Sequence, residues 1–256
     1  MDSTLPAAPY VILSDGCSSS PDTDIGARLL VKAAEQTLLT FRPWASELAE
    51  MHTEAARCAL TWAEVTGIRP QALDATLLTA HLLGDELILG CSGDGVIVVE
   101  SWSGVIDVYA ISYLAGYPLY PSYLHQPERL LTLTEGVCAG KEVSHYRCNE
   151  VEETLRLEDT TTSASLTEVF TVKASDYKYA ALLSDGIHSF FTRQQTETSK
   201  SAEAIPMEEI LKELISFNSV RGAFVARRLR KFLMECQTKG GQHRDDLAIG
   251  ALYLGD

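Results

Sequence analysis

The alternation of apolar and polar positions divides the chain into blocks. Tyr10 to Leu13 is a short apolar run closed by Ser-Asp-Gly, the pattern of a buried strand that stops at a turn. Behind it, Leu30, Ala33, Ala34, Thr37 and Leu38 recur at helical spacing, with Asp22 or Asp24 in place to cap the helix. Between residues 45 and 66, Leu48, Met51, Ala55, Cys58, Ala59, Trp62 and Val65 line one face, which predicts a second helix packed on a core. From Thr76 the texture changes. TLLTAHLLGDELILGCSGDGVIVVESWSGVIDVYAI is a string of short β-prone runs separated by Gly-Asp, Gly-Asp-Gly and Ser-Gly, and reads as a meander of antiparallel strands.

The Tyr- and Pro-rich stretch SYLAGYPLYPSYLHQPERL then predicts a long loop or flap laid on the body. Strands resume at Glu168 to Lys173 and at Tyr179 to Leu183, the latter again ending in Ser-Asp-Gly. Residues 192 to 204 are polar and read as exposed. They lead to two amphipathic helices, one built on Met207, Ile210, Leu211, Leu214 and Ile215, the other on Val225, Leu229, Phe232, Leu233 and Cys236 and stopped by Gly240 and Gly241. LAIGALYL closes the chain as a strand. Because strands and helices come in blocks rather than in strict alternation, an α+β layered fold is predicted over a parallel doubly wound one.

Composition narrows the function. With 256 residues and 46% apolar content, the chain can bury a sizeable core. Its net charge of -14, from 35 acidic and 21 basic residues, argues against nucleic acid or an anionic membrane as partner of the chain as a whole. The six cysteines form no CxxC pair or zinc-spaced set and read as reduced thiols. No apolar run has the length of a membrane-spanning helix, and the N-terminus lacks the pattern of a secretion signal, so a cytoplasmic protein is expected.

Four acidic positions carry the candidate chemistry. VILSDG and ALLSDG each bring an aspartate, Asp15 and Asp185, to the end of a buried strand beside a glycine. GCSGDG places Asp94 between glycines at a strand turn, and Asp245 with Asp246 directly precedes the last strand. One Asp-Gly alone is ordinary turn chemistry. Carboxylates gathered at one edge, however, repel one another unless hard cations with oxygen-rich coordination neutralise them, which points to magnesium or manganese.

In order and spacing these motifs resemble the metal-dependent protein phosphatases of type 2C, in their bacterial branch. SDGCSSS resembles the first Asp-Gly motif of that family, ATLLTAHLLGDELILGCSGDG its central hairpin, LLSDGI its third motif and DDLAIGALYL its last. The resemblance implies one phosphatase-like domain over residues 1–256, folded as a four-layer α-β-β-α sandwich of two antiparallel sheets flanked by helix pairs. It implies that Asp15 bridges two core metals, that the Gly16 carbonyl binds one, that Asp185 and Asp245 bind the other, and that Asp94 with Asp185 serves a third, weaker site. The implied cofactors are two or three Mn2+ or Mg2+ ions. The implied activity is hydrolysis of phosphoserine and phosphothreonine in protein substrates by metal-bound water, with Asp15, Asp185 and Asp245 as the catalytic set. The alternative is a catalytically weak or inactive type 2C-like domain with a regulatory or binding role.

The chain departs from the family pattern in three places. The acid expected well upstream of the first Asp-Gly has only Asp2 to supply it. Cys17 stands where many eukaryotic relatives have a histidine, and Gly93-Asp94-Gly95 replaces the commoner Gly-Asp-Ser-Arg, so no phosphate-binding arginine is identified. His188 and His243 lie near Asp185 and Asp245 in sequence as minor candidates for a proton donor. Asp22-x-Asp24-x-Gly26 looks like the start of a calcium loop, but Ala33 occupies the position where the closing acid is required.

Overall fold

The computed structural model describes residues 8–114, 116–136, 140–148, 154–195 and 200–255. In chain order the strands are β1 (Tyr10–Leu13), β2 (Leu77–Leu83), β3 (Glu86–Ser92), β4 (Gly95–Ser101), β5 (Ile106–Tyr113), β6 (Lys141–Cys148), β7 (Leu155–Ser163), β8 (Thr167–Lys173), β9 (Tyr177–Leu183), β10 (Phe190–Gln195), β11 (Lys200–Ala204), β12 (Gly241–His243) and β13 (Ile249–Tyr253). The helices are α1 (Thr23–Phe41), α2 (Leu48–Thr66), α3 (Pro127–Gly136), α4 (Met207–Leu214) and α5 (Phe224–Thr238). One antiparallel sheet has the order β1-β2-β3-β8, a second β13-β9-β4-β5-β6-β7, and a small third one β11-β10-β12.

The period of two along each central strand explains the layering. β4 points Ile97 and Val99 at the first sheet, and Val96 and Val98 at α4 and α5; β9 divides Ala180 and Leu182 from Tyr179, Ala181 and Leu183 in the same way. On the first sheet Leu78, Ala80, Leu87 and Leu89 face inward, while Leu77 and Ile88 meet α1 and α2. The result is helix pair, sheet, sheet, helix pair, as expected for the α-β-β-α class. Each fully buried Leu, Ile or Val contributes about 1.5–3 kcal/mol through area removed from water.

α1 and α2 meet through Ala27, Ala33, Ala34, Ala55, Ala56, Ala59 and Ala63. Close packing on these small residues turns α2 away from its expected face: His52, Ala56 and Ala63 are buried, and Val65 is 83% exposed. The Gly84 turn makes a β2–β3 hairpin, but the meander breaks at Gly93-Asp94-Gly95. There the chain leaves the first sheet and enters the second, since β3 pairs with β2 and β8 while β4 pairs with β5 and β9. Alternation marks strands without naming their partners.

Three further differences follow from polarity. The Tyr/Pro-rich stretch is not one loop: it holds a 3-10 turn at Pro121–His125 and the helix α3. β6 and β7 extend the second sheet although nearly all of β7 is exposed, so no apolar alternation announced it. The polar stretch from residue 192 forms most of the β10–β11 hairpin. Its residues 196–199, with Asp2 and Cys138, lie outside the described residues. Cys17, Cys58, Cys91 and Cys236 are free thiols, and among the described residues no helix is long and apolar enough to cross a membrane.

Candidate metal centre

Each aspartate reaches the site by a traceable backbone device. β1 pairs with β2 through Leu13 and Leu78. Beyond that pair the Asp15 N–H donates to Thr76 Oγ1 at 3.0 Å, the Thr76 N–H donates to the Asp15 carbonyl at 2.8 Å, and Ser14 Oγ donates to the Thr76 carbonyl at 2.6 Å. The chain then passes so close to α1 that a Cβ on Gly16 would lie 2.7 Å from Thr23 Cβ. Asp94 sits on the crossing between the sheets. Gly93 and Gly95 take φ of +88° and +143°, and a side chain on Gly95 would press on the Leu183 carbonyl at 2.9 Å.

Asp185 and Asp245 are delivered by neighbouring strands, β9 and β13, paired through Leu183 and Ile249. Ser184 staples their ends. Its N–H donates to the Ala248 carbonyl at 3.0 Å, its Oγ donates to the Asp246 carbonyl at 3.3 Å, and the Ala248 N–H donates to that Oγ at 3.0 Å. Gly186 permits the approach, because a Cβ there would stand 2.1 Å from the Asp246 carbonyl oxygen.

All four carboxylates line one cavity of about 310 Å3, together with Gly16, Cys17, Ser18–Ser20, Thr76, Tyr117, Pro118, Tyr120, Tyr123 and Arg129. Asp185 and Asp245 keep water access at its mouth, whereas Asp15 and Asp94 lie deeper. Burial first, and then the charge of Asp185, push Asp94 up to about 7, with Asp15 and Asp245 adding to the effect. Asp15 is pushed up to about 6, again by burial and then Asp185, against the Ser184 hydroxyl that holds it down. Asp185 is raised by burial and by Asp245, with His188 offsetting part of the rise. Carboxylates raising one another in this way favour protons or cations between them.

Arg129 on the cavity wall and Asp74 behind it were not legible in the sequence. Asp74 is fully buried, and both of its carboxylate oxygens accept from Arg129, at 2.9 and 2.7 Å. Arg129 is the single Lys or Arg on the cavity wall among the described residues, and it reaches there from α3, inside the stretch read as a loop. Neither His188 nor His243 lines the cavity; the His243 Nδ1 instead lies 2.9 Å from the Asp245 carbonyl. Cys17 does line it. Burial works to raise its thiol, but hydrogen bonds from Ser19, Tyr120 and Ser20 leave it below the usual value. The calcium-like motif is the first turn of α1, where Asp22 pairs with Arg69 at 3.2 Å.

Among the described residues, no group of three or more His, Cys, Asp or Glu side chains is arranged to hold an ion as it stands. The donor set nevertheless fits magnesium or manganese. These ions take one or two carboxylates each and keep several waters, and a cavity of this size with four carboxylates, among them Asp15, Asp94 and Asp185 with raised proton affinity, supplies both.

The chain is similar to known proteins in one stretch of sequence and in fold. The Protein phosphatase 2C family model matches residues 2–112. A bacterial serine phosphatase superposes at a TM-score of 0.51 with 12% identity, over 96% of this chain and 86% of that one. The serine/threonine phosphatase Stp1 from Staphylococcus aureus gives 0.49 with 13% identity, over 95% and 82%. The catalytic domain of the serine threonine protein phosphatase PstP, in complex with 2 manganese ions, gives 0.46 with 14% identity, over 94% and 86%. No curated protein matches the chain by sequence. The family model covers residues 2–112, less than half of the chain, and the fold over nearly the whole length is similar to that of a bacterial serine phosphatase.

Proposed function

We propose that this protein is a metal-dependent phosphatase of the protein phosphatase 2C family, acting as one domain on phosphoserine and phosphothreonine in proteins. The observation that carries the reading is the convergence of Asp15, Asp94, Asp185 and Asp245 on one cavity. Asp15, the Gly16 carbonyl, Asp185 and Asp245 would hold two Mn2+ or Mg2+ ions, and Asp94 with Asp185 a third. Bound there, the cations supply the Lewis acidity that makes water a nucleophile near neutral pH and that neutralises charge developing on a phosphate monoester. The protein's own part is geometric. Thr76 orients Asp15, Ser184 aligns the Asp185 and Asp245 segments, and the Tyr117–Tyr123 wall limits how a phosphorylated side chain enters.

The test is manganese-dependent phosphate release from p-nitrophenyl phosphate and from phosphopeptides, measured beside nucleotides and sugar phosphates. Turnover of phosphopeptides that disappears in Asp185→Asn supports the reading; a metal-replete, folded preparation with no turnover sinks it. A second reading, a metal-binding domain without turnover, is favoured by one observation: Arg129, the cation nearest to where phosphate would sit, is already engaged by Asp74.

A further inference from the structure

Acidic side chains outnumber basic ones by 35 to 21, yet no acidic residue occurs between Glu213 and Glu235. Arg221, Arg227, Arg228, Arg230 and Lys231 all stand in that interval, which comprises the α4–α5 loop and the first turns of α5. Two of the five have carboxylate partners. Arg228 bonds to Glu213 at 2.7 Å, and Lys231 lies 3.6 Å from Glu235. Arg221, Arg227 and Arg230 are exposed, and among the described residues none pairs with a carboxylate; Arg227 donates only to the Arg221 carbonyl, at 2.7 Å.

A cleft of about 140 Å3 opens beside them. Ser216, Asn218 and Ser219 line one side and Arg227, Arg228 and Lys231 the other, next to the edge-on Phe217–Phe224 pair at 4.9 Å. None of these residues borders the aspartate cavity. Like charges gathered on one helix face repel, and a chain with surplus carboxylates leaves three arginines here without one. An incoming set of carboxylates relieves that repulsion, and several exposed charges acting together steer and orient a partner even though each alone contributes little.

We propose that the α4–α5 loop and the exposed face of the first turns of α5 dock an acidic segment of a partner protein, with the cleft receiving one carboxylate side chain among hydroxyl, amide and guanidinium donors. A lipid surface fits less well, because α5 turns Phe232 and Leu229 to the core and keeps charge, not an apolar face, outside. A long nucleic acid would meet the -14 charge of the rest of the chain, whereas a short acidic segment covers only the patch. The proposal does not depend on the aspartate cavity, and its test is read without turnover.

Fluorescence anisotropy of labelled octaglutamate, with octaglutamine as control, measures it on the full chain. Octaglutamate is expected to bind, to be released by salt, and to bind about tenfold more weakly to the triple variant Arg221→Ser, Arg227→Ser, Arg230→Ser. These are exposed side chains, so an unchanged circular-dichroism melting curve verifies that the variant is folded. Equal binding by parent and triple variant, equal binding of octaglutamine, or no binding of octaglutamate at low salt overturns the proposal. So does tighter binding of an RNA oligonucleotide or of phosphatidylserine vesicles than of octaglutamate.

Discussion

The buried carboxylate of Asp74 grips both terminal nitrogens of the Arg129 guanidinium, and through it ties the α3 segment to the loop that carries Asp15. Ser20 Oγ donates to the same carboxylate at 2.7 Å, and the Cys17 N–H donates to the Asp74 carbonyl at 2.8 Å. Arg129 also stacks over Tyr123, 4.5 Å from the ring centre. The aromatic wall of the cavity is therefore tied to the Asp15 loop through this ion pair.

Breaking that pair strands a charge in the interior. Arg129→Met is expected to lower unfolding free energy by about 3 kcal/mol, while the double variant Asp74→Asn, Arg129→Met loses less than the two single variants summed. Urea denaturation of the four proteins measures the cycle. Additive losses would show that the anchor is not coupled.

Replacing one carboxylate of the cavity by its amide removes repulsion that metal would otherwise relieve. Asp94→Asn is expected to melt at a higher temperature than the parent in chelator. The parent should gain about 2.7 kcal/mol at a hundredfold excess of Mn2+ over its Kd, and Asp185→Asn should lose most of that gain. Thermal melts with and without Mn2+ decide; identical shifts in all three proteins would refute a metal role for these side chains.

Gly186→Ala places a methyl where the Asp246 carbonyl oxygen already stands, at 2.1 Å. The backbone of the Asp245 segment must move, at a cost of about 2–3 kcal/mol. Calorimetric titration with Mn2+ should show weakened binding alongside the lower melting temperature. Unaltered affinity would mean that Asp245 does not need its place beside Asp185.

His52 is enclosed between α2 and the first sheet, its ring nitrogens 2.8 Å from Ser92 Oγ and 2.9 Å from Thr79 Oγ1. Burial, with a smaller contribution from His81, holds it down at about 3, against 6.5 for a free imidazole. The unfolded chain therefore takes up a proton at this residue as pH falls below 6.5, and the folded chain does so only near 3. Stability from this residue is complete above 6.5 and declines toward 3, by at most about 1.4 kcal/mol per pH unit. The stability difference between the parent and His52→Gln, followed by denaturant titration from pH 7.5 to 4.5, should shrink on acidification. A difference independent of pH would show that His52 protonates without unfolding.

Much of this architecture could be read in the chain. The runs around Leu13, Ile97 and Leu182 are continuously apolar because each strand is packed on both sides, and the aspartates after β1 and β9 stand out through their Ser-Asp-Gly endings. β7 was silent because an exposed edge strand needs no apolar pattern. The Tyr/Pro-rich stretch was read as irregular, yet Arg129 and its neighbours wind into α3 where Gln126 and Asp74 can receive the guanidinium.

By itself the sequence determined where the buried strands and the amphipathic helices form and which residue types could hold a cation, since periodicity and turn chemistry are properties of neighbours along the chain. Only the tertiary structure decided that Gly93-Asp94-Gly95 crosses between sheets, that four distant carboxylates face one cavity, and that Asp74 meets Arg129. Those outcomes depend on which surfaces approach when apolar faces are buried together. Charges and hydrogen bonds then act over a few ångströms, a separation that no spacing in the sequence records.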